Sequence, residues 1–302
     1  MTLREAIRNA EAKKIAIGHF NIANLEQLKA IAHVGIKLNV PIIIGVSEGE
    51  REYLGVHHVR DLIRSYNDEH AKEGGFRLFL NADHTKSLEK AKEAVSVGFD
   101  AILFDGSKLP LEENIAETRK AARIAKRGLR FWRKEVLVEG ELGYIGGASE
   151  IRDSVPEGAV IKSEDLTKPE EAARFVKETG VDMLAPAVGN IHGMRADASD
   201  PALDIARIKA IKEALQNLPA GRQVPLVLHG ASGNTDEDLR VAIDAGVSII
   251  HISTELRAAW RKGMEEELAE HPKEVAPYKV MPDVLKAMEE VVEHHLRLFN
   301  QR

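Results

Sequence analysis

The sequence predicts an α/β protein: one (β/α)8 TIM barrel over residues 1–302, with an extra N-terminal helix and a C-terminal helical tail. Three observations predict it. Eight short apolar runs recur along the chain, separated by longer helical patterns. Their hydrophobicity is nearly continuous rather than alternating, as parallel strands covered on both faces require. Polar residues follow the runs at matching places, where the carboxyl-terminal mouth of a barrel gathers strand ends into one ring.

The elements follow in order. MTLREAIRNAEAKK opens the chain as a charged amphipathic helix without the apolar stretch of a secretion signal. The strands expected are KIAIGHF (14–20), VPIIIGVS (40–47), FRLFLNA (76–82), AILFDG (101–106), EVLVEGE (135–141), DMLAPAVG (182–189), VPLVLHG (224–230) and VSIIHIS (247–253). Helical patterns between them include LEQLKAIAHVGIKL, SLEKAKEAVSVG, EENIAETRKAARIAKR, PEEAARFVKETG and DEDLRVAIDAG. Gly98, Gly180 and Gly246 close such segments just before the next strand, where a left-handed cap belongs. NLPAGRQ (217–223) reads as a surface loop. VLKAMEEVVEHHLRLFN reads as an amphipathic tail helix packed on the barrel or on a partner subunit. A doubly wound sheet is the alternative. No GxGxxG follows the first strand, and the polar clusters are spread over many strand ends rather than one switch point.

Composition narrows the function. With 44% hydrophobic residues the chain can bury a large core. A formal charge of −6 carries no global basic excess, which argues against nucleic acid and anionic membranes as partners. There is no cysteine, so any metal must be held by His, Asp or Glu. No apolar run approaches the ~18 residues of a membrane span. The expectation is a soluble, cytoplasmic protein.

The polar strand ends carry Asn21 and Asn24, Ser47, Asp83 and His84, Asp105 and Ser107, Glu141, His192, His229 and Ser232, and Ser253 and Thr254. Three histidines stand out: His84 in LFLNADHTKS, His192 in LAPAVGNIHG and His229 in PLVLHGASG. A carboxylate pair, Glu139 and Glu141, ends the fifth run. Imidazoles with a carboxylate suit a borderline cation such as Zn²⁺, and three protein ligands leave a position open for substrate. Alone, Asp83-His84 would read as a helix N-cap beside a surface histidine. Two further histidines at equivalent strand ends turn it into a metal ligand with a general acid/base beside it. Gly193 and Gly230 directly follow their histidines, so substrate can approach the backbone there. HGASG, just before a helix, is a candidate phosphate cradle. The other histidines read differently. His57-His58 and His294-His295 read as solvated doublets, His33 and His70 as helix-face residues. His19 lines the mouth or packs, and His251 points into the barrel or outward.

With these residues in hand the chain resembles the class II, metal-dependent ketose-bisphosphate aldolases, the fructose-bisphosphate and tagatose-bisphosphate aldolase family. The similarity runs from GHFNIANLEQLKAI through NADHTKSLEKAKEAVSVGFDAILFDGSKLPLEENI, VEGELGYIGG, APAVGNIHG and LHGASG to STEL. The resemblance implies reversible cleavage of fructose 1,6-bisphosphate to dihydroxyacetone phosphate and glyceraldehyde 3-phosphate. Tagatose bisphosphate or another phosphorylated ketose is the alternative substrate. It further implies catalytic zinc on His84, His192 and His229, with Asp105 and Glu141 at positions that hold a second or displaced zinc. Asp83 matches the acid/base that works on the C4 hydroxyl. Phosphate binding by similarity falls to Gly193, Gly230, Ser232, Ser253 and Thr254, with a monovalent cation (K⁺ or Na⁺) near the same carbonyls; Asn24 and Ser47, as polar strand-end residues, complete the expected substrate-binding set. A homodimer or homotetramer is expected.

The chemistry is consistent with that family. Retro-aldol cleavage leaves an enediolate, whose charge a Lewis-acid metal spreads. A Schiff-base mechanism would need a lysine at a strand end. Here the strand ends carry His, Asp and Glu, with Lys86 and Lys108 close by. Three departures stand out. The family's eighth strand reads roughly Lys-Ile-Asn-Val-Asn/Asp-Thr, where this chain has Ile249-Ile250-His251-Ile252-Ser253-Thr254. HGGSG becomes HGASG. In the loop GGASEIRD, Glu150 is the expected mobile carboxylate that exchanges the C3 proton, with Asp153 competing, and Gly146 and Gly147 supply hinge freedom. A barrel metallohydrolase is disfavoured because no HxH pair lies on the first strand. A non-catalytic barrel is disfavoured by the complete set of acid/base and metal residues.

Overall fold

A computed structural model describes residues 1–72, 74–132, 135–146, 150–153, 162–163, 166–196, 200–218 and 224–301. Its frame is a closed barrel of eight strands: β1 (Ile17–Asn21), β2 (Pro41–Val46), β3 (Arg77–Thr85), β4 (Ala101–Phe104), β5 (Leu137–Leu142), β7 (Met183–Pro186), β9 (Leu226–Leu228) and β10 (Val247–Ile252). Each pairs in parallel with its sequence neighbours, and β10 closes on β1. Each overlaps one of the apolar runs read from the sequence, and β1, β3 and β5 extend past theirs, to Asn21, Thr85 and Leu142. Between them run α2 (Leu25–Leu38), α3 (Glu48–Leu54), α4 (Val56–Glu69), α5 (Leu88–Val97), α6 (Leu111–Trp132), α7 (Pro169–Thr179), α8 (Ile205–Gln216) and α9 (Asp236–Asp244). None of the described helices is long and apolar enough to cross a membrane.

The barrel interior is layered because side chains alternate faces along a strand. Ile17, Ile43, Phe79, Leu137 and Ile249 form an apolar floor. Helix α1 (Leu3–Lys13) closes it from below with Leu3, Ala6, Ile7 and Ala10. A capping box starts that helix: Glu5 N donates to Thr2 Oγ1 at 3.2 Å and Thr2 N to Glu5 Oε2 at 2.7 Å. Two residues above the floor on the same strands stand His19, Asn81, Glu139 and His251, all buried. Two further on come Asn21, Asp83, Glu141 and Ser253 at the mouth. The alternate residues, such as Phe20, Ile44, Leu80, Val138 and Ile250, face the helices in a separate outer core. Gly45 is required in this arrangement, since a Cβ there would meet the His19 ring at 2.0 Å.

The tail is two helices rather than one, α10 (Thr254–Glu270) and α11 (Pro277–Phe299), and α11 packs on α2, α10 and β1. His33 meets Glu289 at 2.8 Å and Lys37 meets Glu293 at 2.7 Å across that contact. The tail therefore covers its own barrel. His295, expected to be solvated, is buried and bonds Glu255 through Nε2. It falls on the core-facing side of α11, three residues past Val292, whereas His294 is exposed. Two-residue strands β6 (Ile151–Arg152) and β8 (Met194–Arg195) pair with each other and join the loops after β5 and β7. Two residues are too few to carry a periodicity, so the sequence holds no sign of them. Of the loop 217–223, residues 219–223 lie outside the described residues, as do Gly147, Ala148 and Ser149.

Candidate active site

A cavity of about 850 Å³ opens at the carboxyl-terminal mouth. Most of the expected site residues line it: Ser47, Asp83, His84, Asp105, Glu150, His192, Gly193, His229, Gly230, Ser232, Ser253 and Thr254, together with Asn21 and His251. Asn24 is not among them. Its side chain caps α2, accepting from Gln27 N at 2.9 Å, because an Asn just before a helix satisfies an otherwise free amide. Glu141 sits deeper, with Oε2 3.5 Å from His84 Nδ1.

The three histidines converge from β3 and from the loops after β7 and β9. Ring centroids lie 4.8 Å apart for His84–His192, 5.2 Å for His84–His229 and 5.9 Å for His192–His229. His84 occupies the left-handed region at φ 39°, and the β3–β4 register shifts just there. Backbone strain of that kind persists where surrounding structure fixes it, and here it turns the imidazole toward its partners. His84 Nδ1 is taken by Asp105 Oδ2 at 3.0 Å, which leaves Nε2. His229 Nε2 is taken by Glu139 Oε1 at 2.7 Å, and its Nδ1 is buried without a partner, as is His192 Nε2. A buried nitrogen without a partner is costly. Ring nitrogens left over in this way, each on a ring oriented by a carboxylate or packing, fit a bound cation. His84, His192 and His229 also offer ligand atoms all within 4.8 Å of one another, as do His84, Asp105 and Glu141.

Charge is concentrated here. Burial opposes ionisation of Asp83, but His84, His19, His229 and the Asn21 hydrogen bond outweigh it and hold the carboxyl below its usual range. Burial likewise opposes charge on His84, yet Asp83, Asp105 and Glu141 raise it to about 10. Burial, reinforced by Asp105, pushes Glu141 up to about 8. His192 and His251 are driven well below the ordinary imidazole value by burial and by neighbouring histidines. Asp83 Oδ2 accepts from Asn21 Nδ2 at 2.9 Å, while Oδ1 has no hydrogen-bond partner and lies 3.8 Å from His251 Nδ1.

His19 and His251 are Cα partners in the β1–β10 ladder, and their rings stack at 3.4 Å with 4° between planes. His251 also lies 3.8 Å from His229. Both point inward, and the signal was their two-residue spacing from Ile17 and Ile249 on one side and Asn21 and Ser253 on the other. Ser232 Oγ accepts from Ser253 N at 3.2 Å, tying the loop after β9 to the start of α10. Gly230 adopts φ 60°, and a Cβ there would lie 2.1 Å from Ile191 O. Glu150 reaches the cavity on the β6 side and pairs with Arg152 at 3.0 Å, whereas Asp153 does not line the cavity.

The closed barrel, the convergent imidazoles and the buried carboxylates define an enzyme of the metal-dependent barrel class. Comparison with known proteins makes the assignment specific. The family model for class II fructose-bisphosphate aldolase matches residues 1–302. The fructose-bisphosphate aldolase of Geobacillus stearothermophilus is 34% identical over 295 residues, covering 95% of this chain and 93% of that protein. The enzyme of Staphylococcus aureus (strain Mu50) is 32% identical over 300 residues, covering 99% and 96%. Among solved structures, the YdjI aldolase of Escherichia coli K12 superposes with a TM-score of 0.76 at 27% identity, over 99% of this chain and 96% of that one. A putative fructose-1,6-bisphosphate aldolase from Coccidioides immitis gives 0.79 at 27%, over 98% and 95%. The chain belongs to the class II fructose-bisphosphate aldolase family, which makes it a carbon–carbon lyase with a divalent metal centre.

Proposed function

We propose that this chain is a zinc-dependent aldolase that reversibly cleaves fructose 1,6-bisphosphate, with zinc on His84, His192 and His229. The observation that carries the reading is the convergence of those imidazoles with unpartnered buried nitrogens on His192 and His229. When bound, the metal supplies Lewis-acid stabilisation of the charge left on the ketose oxygens.

The protein's own groups do the rest. Asp83 takes the C4 hydroxyl proton in cleavage and returns it in condensation, and Oδ1 is the atom left for that task. Asn21 keeps Oδ2 engaged. Glu139 holds the His229 ring, and Asp105 the His84 ring. Glu141, beside His84, and Asp105 would receive a displaced metal. Gly193, Gly230, Ser232, Ser253 and Thr254 bind phosphate, where the N-terminus of α10 and the glycine backbone present amides to an anion. A K⁺ or Na⁺ ion near those carbonyls, a homodimer or homotetramer, and a cytoplasmic location complete the reading. Glu150 exchanges the C3 proton of dihydroxyacetone phosphate, for which its place at the cavity wall speaks.

One observation favours a second reading, cleavage of tagatose bisphosphate or another phosphorylated ketose. His251 and Ser253 stand where the family pattern has amides or a carboxylate, and both line the cavity. Cleavage of the two bisphosphates, coupled to a triose-phosphate readout with and without chelator, tests both. Turnover of fructose bisphosphate that chelator abolishes is expected; turnover confined to tagatose bisphosphate selects the second reading, and chelator-resistant turnover removes the metal.

A further inference from the structure

Glu50 is a buried carboxylate, 7% exposed, to which the steps above give no work. It projects from α3, and its two oxygens are engaged on different sides. Oε2 accepts from Ser47 N at 2.7 Å and from Asn21 Nδ2 at 3.1 Å. Oε1 is held by the Arg257 guanidinium of α10. The same Asn21 nitrogen donates to Asp83 Oδ2 at 2.9 Å. An amide nitrogen has two hydrogens, and here each is committed to a different carboxylate.

We propose that Glu50 is a positioning residue that acts through Asn21 on Asp83. With carboxylates on both sides, only the NH₂ end of Asn21 can face them; the flipped amide would set its oxygen against two anions. Glu50 therefore fixes the rotation of the Asn21 side chain, which a terminal amide torsion leaves broad on its own. Asn21 in turn keeps Asp83 Oδ2 occupied, so Oδ1 stays turned toward the cavity. Arg257 balances the second buried carboxylate, which lets it stand so near Asp83 without an uncompensated like charge. The arrangement links β1, α3, β3 and α10 around one oxygen atom.

This inference rests on Asp83 being the acid/base, and the test separates the two. The competing role for Glu50 is structural, closing the first turn of α3 through Ser47 N. Glu50→Ala and Glu50→Met, the second filling the volume without accepting a bond, are expected to lower kcat about 10- to 100-fold, the scale of one charge-assisted hydrogen bond. KM and zinc content stay near wild type. Asn21→Ala combined with Glu50→Met is expected to be no slower than Asn21→Ala alone; multiplicative losses overturn the proposal. An arm that needs no sugar reads the Asn21 side-chain amide protons by nitrogen-15 NMR. The proton turned to Glu50 is expected to resist solvent exchange in wild type and to exchange faster in Glu50→Met, while the proton on Asp83 stays protected. Protection unchanged in Glu50→Met overturns the role of Glu50 whatever the enzyme turns over. Protection lost as expected, in a protein that cleaves no sugar bisphosphate, leaves Glu50 as the holder of Asn21 and overturns the aldolase reading instead.

Discussion

Replacing Glu139 by Gln should weaken metal binding without unfolding the barrel. Glu139 and His229 are both essentially inaccessible, with side chains 2% and 1% exposed, and their contact is 2.7 Å. The carboxylate receives the Nε2 proton, so Nδ1 keeps its lone pair, and the negative charge makes that nitrogen a better donor. A buried charge-assisted bond contributes about 1.5–3 kcal/mol, against about 1 for a neutral one. The Gln oxygen can still accept the proton, so only the charge-dependent part is lost, about 0.5–2 kcal/mol. At about 1.4 kcal/mol per tenfold, zinc affinity should fall roughly 2- to 30-fold. Competition against a chelator of known affinity, on protein stripped of metal, measures it. The thermal midpoint of the metal-free protein serves as the control for folding. Unchanged affinity in a folded variant would refute the reasoning, because His229 would then owe nothing to its carboxylate.

Three further outcomes follow from the site. Asp83→Asn should lower kcat about 10²–10⁴-fold with zinc still bound; near-normal turnover in steady-state assays would leave Asp83 a structural residue. Metal-free His84 keeps its proton up to about pH 10, and a ligand nitrogen must lose it on binding. Zinc uptake below that pH should therefore release at least about one proton, and affinity should drop about tenfold per unit as pH falls. Titration calorimetry in buffers of different ionisation enthalpy checks this, and apparent heats independent of buffer would contradict it. Glu150→Gln should slow detritiation of labelled dihydroxyacetone phosphate far more than it weakens binding; unchanged exchange that instead collapses in Asp153→Asn moves the assignment to Asp153.

The barrel was legible because a strand buried on both faces has no choice but to be apolar, and eight such runs punctuated by helices leave few architectures. His84, His192 and His229 were legible for the same reason, as polar residues at strand ends in a fold that gathers strand ends. What stayed hidden depends on pairings made only in three dimensions. Nothing local in GHFNIANL or GVSEGERE links Glu50 to Asn21 and Arg257. His19 and His251 could not be oriented until the β1–β10 register put them opposite each other. Asn24 shares its spacing from a strand with true cavity residues, but an N-cap and a mouth residue are the same pattern in one dimension. His295 misled because its neighbour His294 faces water, and a doublet on a helix always straddles two faces.

On the proposed function, the lyase needs one divalent metal among His84, His192 and His229. Anomalous diffraction at the zinc edge, from crystals of protein reconstituted with one zinc per chain and shown to be active, tests it most directly. An anomalous peak is expected within coordination distance, about 2.0–2.1 Å, of one nitrogen on each of the three rings. Active crystals with no peak among those rings would contradict it.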